Sequence, residues 1–197
     1  CSTRWRPKVR RSLAQASVET LKRHGVRKIL VQCPHCLNTI KNELPQFGGS
    51  YEVVHHAELI ARLVAEGRLA PGAAEGMGEV TFHDPCYLGR YNRETEAPRE
   101  VLHSIGGKGK LREMERNKGA SFCCGAGGGR IFLEEHIGER INVERTKQAV
   151  ATGATTIATG CPFCKSMLVD GTKALDAEEK IKVRDIAELL AERLPSA

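Results

Sequence analysis

The stretch VRKILVQCPHC (26–36) returns in altered form as ATTIATGCPFC (154–164), so two Cys-Pro-x-Cys motifs lie 128 residues apart. Other landmarks keep the same order. VETLKRHGV (18–26) parallels VERTKQAVATGA (143–154), and AELIARL (57–63) parallels AELLAERL (187–194) at an offset of 130. Self-similarity at a nearly fixed offset predicts one structural unit built twice. The second copy spans 79–197. The first, at 1–75, is expected to be the C-terminal remnant of its repeat, because alignment of the copies sets Cys1 where Cys124 falls in the second.

Apolar, β-rich runs at 28–32, 51–54, 79–83 and 155–159 predict short strands. Helical periodicity is expected at about 12–24, 56–66, 131–151 and 185–194. NKGAS (117–121) and RLAPGAAEGMGE (68–79) have the composition of connecting loops. Alternating strands and helices predict an α/β fold with mainly parallel sheets. In such sheets ligands bind where strands end and helices begin, and Cys33, Cys86 and Cys161 each follow a predicted strand closely.

Cysteine usage narrows the chemistry. The eight are Cys1, Cys33, Cys36, Cys86, Cys123, Cys124, Cys161 and Cys164. Four disulfides are the secretory reading, but no signal peptide is visible and 197 residues can bury a core without staples. Metal or redox chemistry is the better expectation. In the second copy 36 residues separate Cys86 from the Cys123–Cys124 doublet, and a further 36 separate the doublet from Cys161. Thiolates are soft ligands that select zinc, copper(I) or iron–sulfur clusters. A Cys-x-x-Cys at a helix start turns both sulfurs toward one centre, and the helix amides there lower thiol pKa values. Five sulfurs exceed by one the four that tetrahedral zinc takes, or the four thiolates of an ordinary cubane. A structural zinc site on four of the five remains the plainer alternative.

FHDPCYLGRY (82–91), SFCCGAGGGRIFLEEHIGERINVER (121–145) and TGCPFCKSMLVDG (159–171) carry a specific resemblance. Together they resemble the CCG (cysteine-rich) domain of heterodisulfide reductase B and D subunits and of iron–sulfur oxidoreductases linked to electron-transfer flavoproteins. CPHCLNTIKNELPQFGG (33–49) resembles the tail of a first such motif. The resemblance implies two Rossmann-like CCG repeats, the first truncated at its N-terminus. It also implies a non-cubane [4Fe–4S] cluster on Cys86, Cys123, Cys124, Cys161 and Cys164, with Cys1, Cys33 and Cys36 as the rest of an earlier ligand set. The family pattern further implies an electron-transfer flavoprotein or other redox subunit as partner, and a quinone or a disulfide as acceptor. STRWRPKVRR (2–11) departs from the flavoprotein-linked pattern.

Around the cysteines, Gly125, Gly127, Gly128, Gly129 and Arg130 are expected to house the cluster, with backbone amides pointing at its sulfurs. A phosphate cradle is the weaker reading, because the loop lacks the Gly-Lys-Ser/Thr ending of a P-loop. His83 and Asp84, three and two residues before Cys86, are candidate proton donors or supporting groups, against a packed His and a capping Asp. Arg90 and Arg130 could offset cluster charge or form surface ion pairs. His35 takes the place of Phe163, and His55–His56 is expected to start a helix, a quinone-pocket role being the alternative.

The formal net charge of +6 would suggest nucleic acid, but the basic residues are interspersed with acids apart from RWRPKVRR (4–11), and no reading motif accompanies them. No apolar run is long enough to span a bilayer. These features predict an iron–sulfur oxidoreductase module without a membrane span, cytoplasmic or held at the inner membrane face through partners or segments absent from this chain. The alternative is a zinc-bound interaction domain without redox activity.

Overall fold

A computed structural model describes residues 7–72, 78–106, 110–133 and 137–195. The expectation attached to Cys1 lies outside these residues. The first copy contains α1 (Pro7–Arg23), β1 (Lys28–Val31), α2 (Pro34–Asn38), β2 (Glu52–His55) and α3 (His56–Ala65). Next come β3 (Val80–His83) and α4 (Glu96–Gly106). The first succession then recurs as α5 (Ile141–Val150), β4 (Thr156–Thr159), α6 (Pro162–Ala174), β5 (Lys182–Asp185) and α7 (Ile186–Ala191).

Every strand pairing is parallel among the described residues. β1 pairs with β2, and β4 lies between β3 and β5. The fold is α/β with parallel sheets. Central strand β4 buries Ile157 on one face and Ala158 on the other, as a strand covered on both sides must. Ala158 and Phe82 pack with Ala57 and Ala61 of α3, Val101 and Leu102 of α4, and Leu189 and Leu190 of α7. The apolar core therefore runs without a break from the first copy into the second. Ile157 and Val183 meet Ala149 of α5 and Leu168 of α6 on the opposite face.

The sequence-based expectations miss α4 and β5 and overextend one helix. The helix expected over 131–151 is confined to Ile141–Val150, because Gly138 adopts φ +69° and Arg140 is extended before the first turn. β5 lies outside the expected strands, since KVRD lacks a clear apolar alternation. It sits at the offset of 130 from β2, so the repeat itself holds the signal.

Histidines join the copies. His55 caps α3 and Asp185 caps α7, each in a capping box completed by Glu58 or Glu188. Because His55 Nδ1 accepts from the Ala57 amide, the ring proton sits on Nε2. That N–H reaches Gln32 O at 3.1 Å in the first copy and Gly160 O at 3.0 Å in the second. A Cβ on residue 160 would come within 3.2 Å of the ring, so glycine permits the approach. His56 Nε2 meets Asp185 Oδ1 at 3.0 Å in a second bridge.

Burial, reinforced by His56, pushes His55 down to about 4 from 6.5. Between those values the unfolded chain binds a proton that the folded chain refuses, so stability falls as pH drops through this window. The loss should total up to about 3 kcal/mol, at about 1.4 kcal/mol for each tenfold difference in proton affinity between the two states. His55→Asn retains a cap acceptor but removes the bridge between copies. It should lower stability at pH 7.5 and flatten the pH dependence between 6.5 and 5. Denaturant midpoints across that range test this, and a variant with the wild-type slope would refute the assignment.

Candidate metal centre

The cysteines gather at the C-terminal ends of β1, β3 and β4, as parallel-sheet topology requires of a ligand site. Cys33 and Cys161 are extended residues that open α2 and α6, each followed by proline at the first helical position. Pro-x-Cys then brings the second sulfur of each motif back over the helix start. Cys86 precedes a wide helical turn over Tyr87–Tyr91, and the doublet follows the loop around Lys118–Ala120.

The sulfurs form one run in which each perturbs the acidity of the next. Cys86 contacts Cys123, Cys123 contacts Cys124, and Cys124 contacts Cys164. Cys164 contacts Cys161, which contacts Cys33 of the first copy, and Cys33 contacts Cys36. Between the two motifs, His35 lies 4.3 Å from the Tyr87 ring and 6.3 Å, edge-on, from Phe163, its counterpart in the second copy. Cys124, Cys161 and Cys164 are buried with Ala126 and Met167, in apolar surroundings.

Backbone amides support this run. Gly125 N–H donates to Cys123 Sγ at 3.3 Å, and the Ala126 amide serves Cys124. Cys161 accepts from the amides of Cys164 and Phe163 at the start of α6. Gly125 has φ +88°, and a Cβ there would come within 3.1 Å of Ile141, so this position both turns the loop and packs on α5. Gly127 is half-buried, while Gly128, Gly129 and Arg130 lie exposed on the outer part of the loop.

The thiols divide sharply in acidity. Cys123 is pulled down to about 2 by hydrogen bonds from Cys124 and then Cys86. Cys161 is pulled down to about 4 by hydrogen bonds from Cys164 and then Cys33. Their donors move up correspondingly: Cys124 to about 12, first through its contact with Cys123, and Cys33 to about 11, first through Cys161. These thiols share protons within one coupled set, with Cys123 and Cys161 favoured toward the anionic form, and a cation would replace the shared protons.

Asp84 is buried and fully engaged. Arg99 grips both its oxygens, at 2.8 and 3.0 Å, and the Lys118 amide donates to Oδ2 at 2.8 Å. Arg99 also binds both oxygens of Glu113. This network ties the end of β3, near Cys86, to the 113–121 loop that leads into the doublet. His83 is buried on the same strand end. One of its ring nitrogens lies within 4.8 Å of the Cys124 and Cys164 sulfurs, the three forming a compact potential metal-binding group among the described residues. Arg90 is exposed and donates to Gly119 O and Ser121 O.

Sequence reasoning misses two arginines. Arg99 and Arg145 are both buried, at 4% and 0% exposure, and each looks like one more polar residue of an amphipathic helix. The four hydrogen bonds of Arg145 to described residues all go to neutral acceptors: His83 Nδ1, Arg116 O, Gln148 Oε1 and Ser121 Oγ. Burial lowers its pKa to about 10, while Asp84, Cys164 and Cys124 act to raise it. A buried guanidinium beside thiols, with no carboxylate directly on it, calls for negative charge at the sulfurs.

The family model of the cysteine-rich domain, CCG, matches residues 2–41 and 80–169. The chain belongs to the CCG cysteine-rich domain family. It is 47% identical over 186 residues to the probable iron-sulfur-binding oxidoreductase FadF of Bacillus subtilis, an alignment covering 94% of this chain and 26% of that protein. It is 46% identical over 186 residues to the EtfAB:quinone oxidoreductase of Syntrophomonas wolfei, covering 91% and 26%. Against the D subunit of the dihydromethanophenazine:CoB–CoM heterodisulfide reductase of Methanosarcina mazei, identity is 40% over 189 residues, covering 94% and 45%. The chain therefore spans between about a quarter and under half of the length of these curated relatives. No helix among the described residues is long and apolar enough to cross a membrane.

Removing Arg99 would strand the Asp84 carboxylate in the interior. Arg99→Met should cost about 3–5 kcal/mol, the usual loss when one member of a buried ion pair is deleted. The double variant Asp84→Asn with Arg99→Met should recover part of this. Urea denaturation of the metal-free chain checks both, and a single variant within about 0.5 kcal/mol of wild type would overturn the structural role given to the pair.

Proposed function

We propose that this chain is the cluster-bearing module of an iron–sulfur oxidoreductase, with Cys86, Cys123, Cys124, Cys161 and Cys164 holding one non-cubane [4Fe–4S] cluster. The observation that carries the reading is the connected run of five cysteine sulfurs, supported by amides and flanked by the buried Arg145. When bound, such a cluster takes up electrons singly and offers a substrate a site at which two-electron chemistry is completed. In the larger protein, electrons would pass from an electron-transfer flavoprotein or another iron–sulfur donor to a quinone or a disulfide. The EtfAB:quinone oxidoreductase and heterodisulfide reductase names of the relatives support both acceptor classes.

The chain's own residues then have defined work. The doublet lets neighbouring thiolates serve different metal atoms without pairing as a strained vicinal disulfide. The Gly125 amide donates to Cys123 and the Ala126 amide serves Cys124, and both would favour metal-bound thiolates there. Gly127, Gly128, Gly129 and Arg130 form the outer rim of this loop and are the part of the cradle open to a partner. Asp84 fixes the doublet loop against Cys86 and acts as a positioning residue, while His83 faces the sulfurs. We assign residues 1–75 to a first CCG repeat and 79–197 to a second. In this arrangement Cys33 and Cys36, with Cys1, belong to a second ligand set beside the first. No nucleic-acid reading motif accompanies the basic residues, and a cytoplasmic location, including the inner membrane face, fits a module of this kind.

One observation favours a second reading. His83, Cys124 and Cys164 form a compact donor group of the kind that binds zinc, so a non-redox interaction domain is the competing assignment. Metal analysis separates them. Anaerobically purified protein should contain iron and sulfide in equal amounts, about four of each per complete site. Cys124→Ser should then lose the charge-transfer absorbance and most of the iron. About one zinc without sulfide, or a Cys124→Ser variant with a full iron complement, would overturn the proposal.

A further inference from the structure

His83 is fully buried on the last residue of β3, and its two ring nitrogens have different surroundings. Arg145 Nε–H donates to Nδ1 at 3.0 Å. Arginine has no acceptor, so Nδ1 must present its lone pair and the proton of the neutral ring resides on Nε2. Nε2 is buried and has no hydrogen-bond partner, sulfur included, among the described residues. The Cys124 and Cys164 sulfurs lie within 4.8 Å of a ring nitrogen of His83. A buried N–H left without an acceptor is costly, which makes a thiolate or sulfide at this point the natural partner.

We infer that His83 donates its Nε2–H to the sulfur side of the metal centre, and that Arg145 selects this tautomer. Deepening the cluster assignment on which it rests, this gives His83 a role as a potential-setting hydrogen-bond donor. It is neither a metal ligand nor a source of substrate protons. With Nε2 protonated the ring has no lone pair directed at a metal, because the other nitrogen is occupied by Arg145. A donor hydrogen bond stabilises the more anionic, reduced state of a cluster and so raises its potential. Arg145 contributes twice: its charge sits beside the thiolates, and its Nε–H fixes the proton on His83. Ser121 and Gln148 hold the guanidinium in register, through Oγ at 3.3 Å and Oε1 at 2.9 Å.

Three measurements on anaerobically purified protein test this. Metal and sulfide analysis of the wild type comes first: zinc without sulfide overturns the cluster reading and this inference together. The second compares variants at full iron loading. His83→Leu should keep its iron and sulfide but disfavour reduction by about tenfold, a fall of about 59 mV in the midpoint potential of a one-electron couple. His83→Gln, which can restore a side-chain N–H, should recover most of that fall. The third is pulsed EPR of wild type with 15N-labelled histidine, which does not depend on either variant folding. A weak 15N coupling in the wild type is the expected result. A strong coupling of directly bound nitrogen, or loss of iron in both variants, would make His83 a ligand. A loaded His83→Leu protein with unchanged potential would refute the donor role while leaving the cluster reading intact.

Discussion

The structure depends on the contact between two Cys-Pro-x-Cys turns from different copies. His55 Nε2–H shares its proton between Gln32 O, just before Cys33, and Gly160 O, just before Cys161. One buried imidazole thereby sets two strand ends side by side. With that fixed, His35 lies between Tyr87 and Phe163, and Cys33 reaches Cys161. The shared apolar core beneath, from Ala57 of α3 to Leu190 of α7, makes the arrangement one body. A slip of either turn would separate the sulfurs and bury the His55 donor without an acceptor, so packing and polar satisfaction enforce the same geometry.

A second network fixes the rest of the site. Asp84, Arg99 and Glu113 form a triad that spends its charge on position and leaves no free carboxylate oxygen for proton transfer. A buried ion pair contributes little net stability, but it tolerates only one placement of the loop ahead of the doublet. Arg145 differs in kind. Its hydrogen bonds to described residues go to neutral acceptors, and the charges that favour its cationic form come from Asp84 first and then from Cys164 and Cys124. The first network holds the cradle; the second prepares it for an anion.

Much of this is legible in the chain. The offset between the copies predicts the parallel units, and it matches the structure down to the paired capping boxes at His55–Glu58 and Asp185–Glu188. Placement of Cys33, Cys86 and Cys161 after strands follows from the short apolar runs before them. The helix expected over 131–151 is too long, because periodicity cannot report that Gly138 turns left-handed. Of the glycine loop, the amides at Gly125 and Ala126 reach sulfur, whereas Gly128, Gly129 and Arg130 lie exposed, a distinction invisible in a run of like residues.

By itself the sequence determined the chemistry on offer: soft cysteine sulfurs in a fixed order, near strand ends of a parallel α/β fold. Sulfur type and strand–turn–helix signals are local properties, and they can be read from neighbours in the chain. Only the tertiary structure decided which sulfurs come together and which arginines stand behind them. Arg145 lies 62 residues from His83, and Arg99 lies 15 from Asp84, so no local pattern links these partners. Burial gives their contacts force, because a charge or an N–H removed from water must find its partner inside the protein.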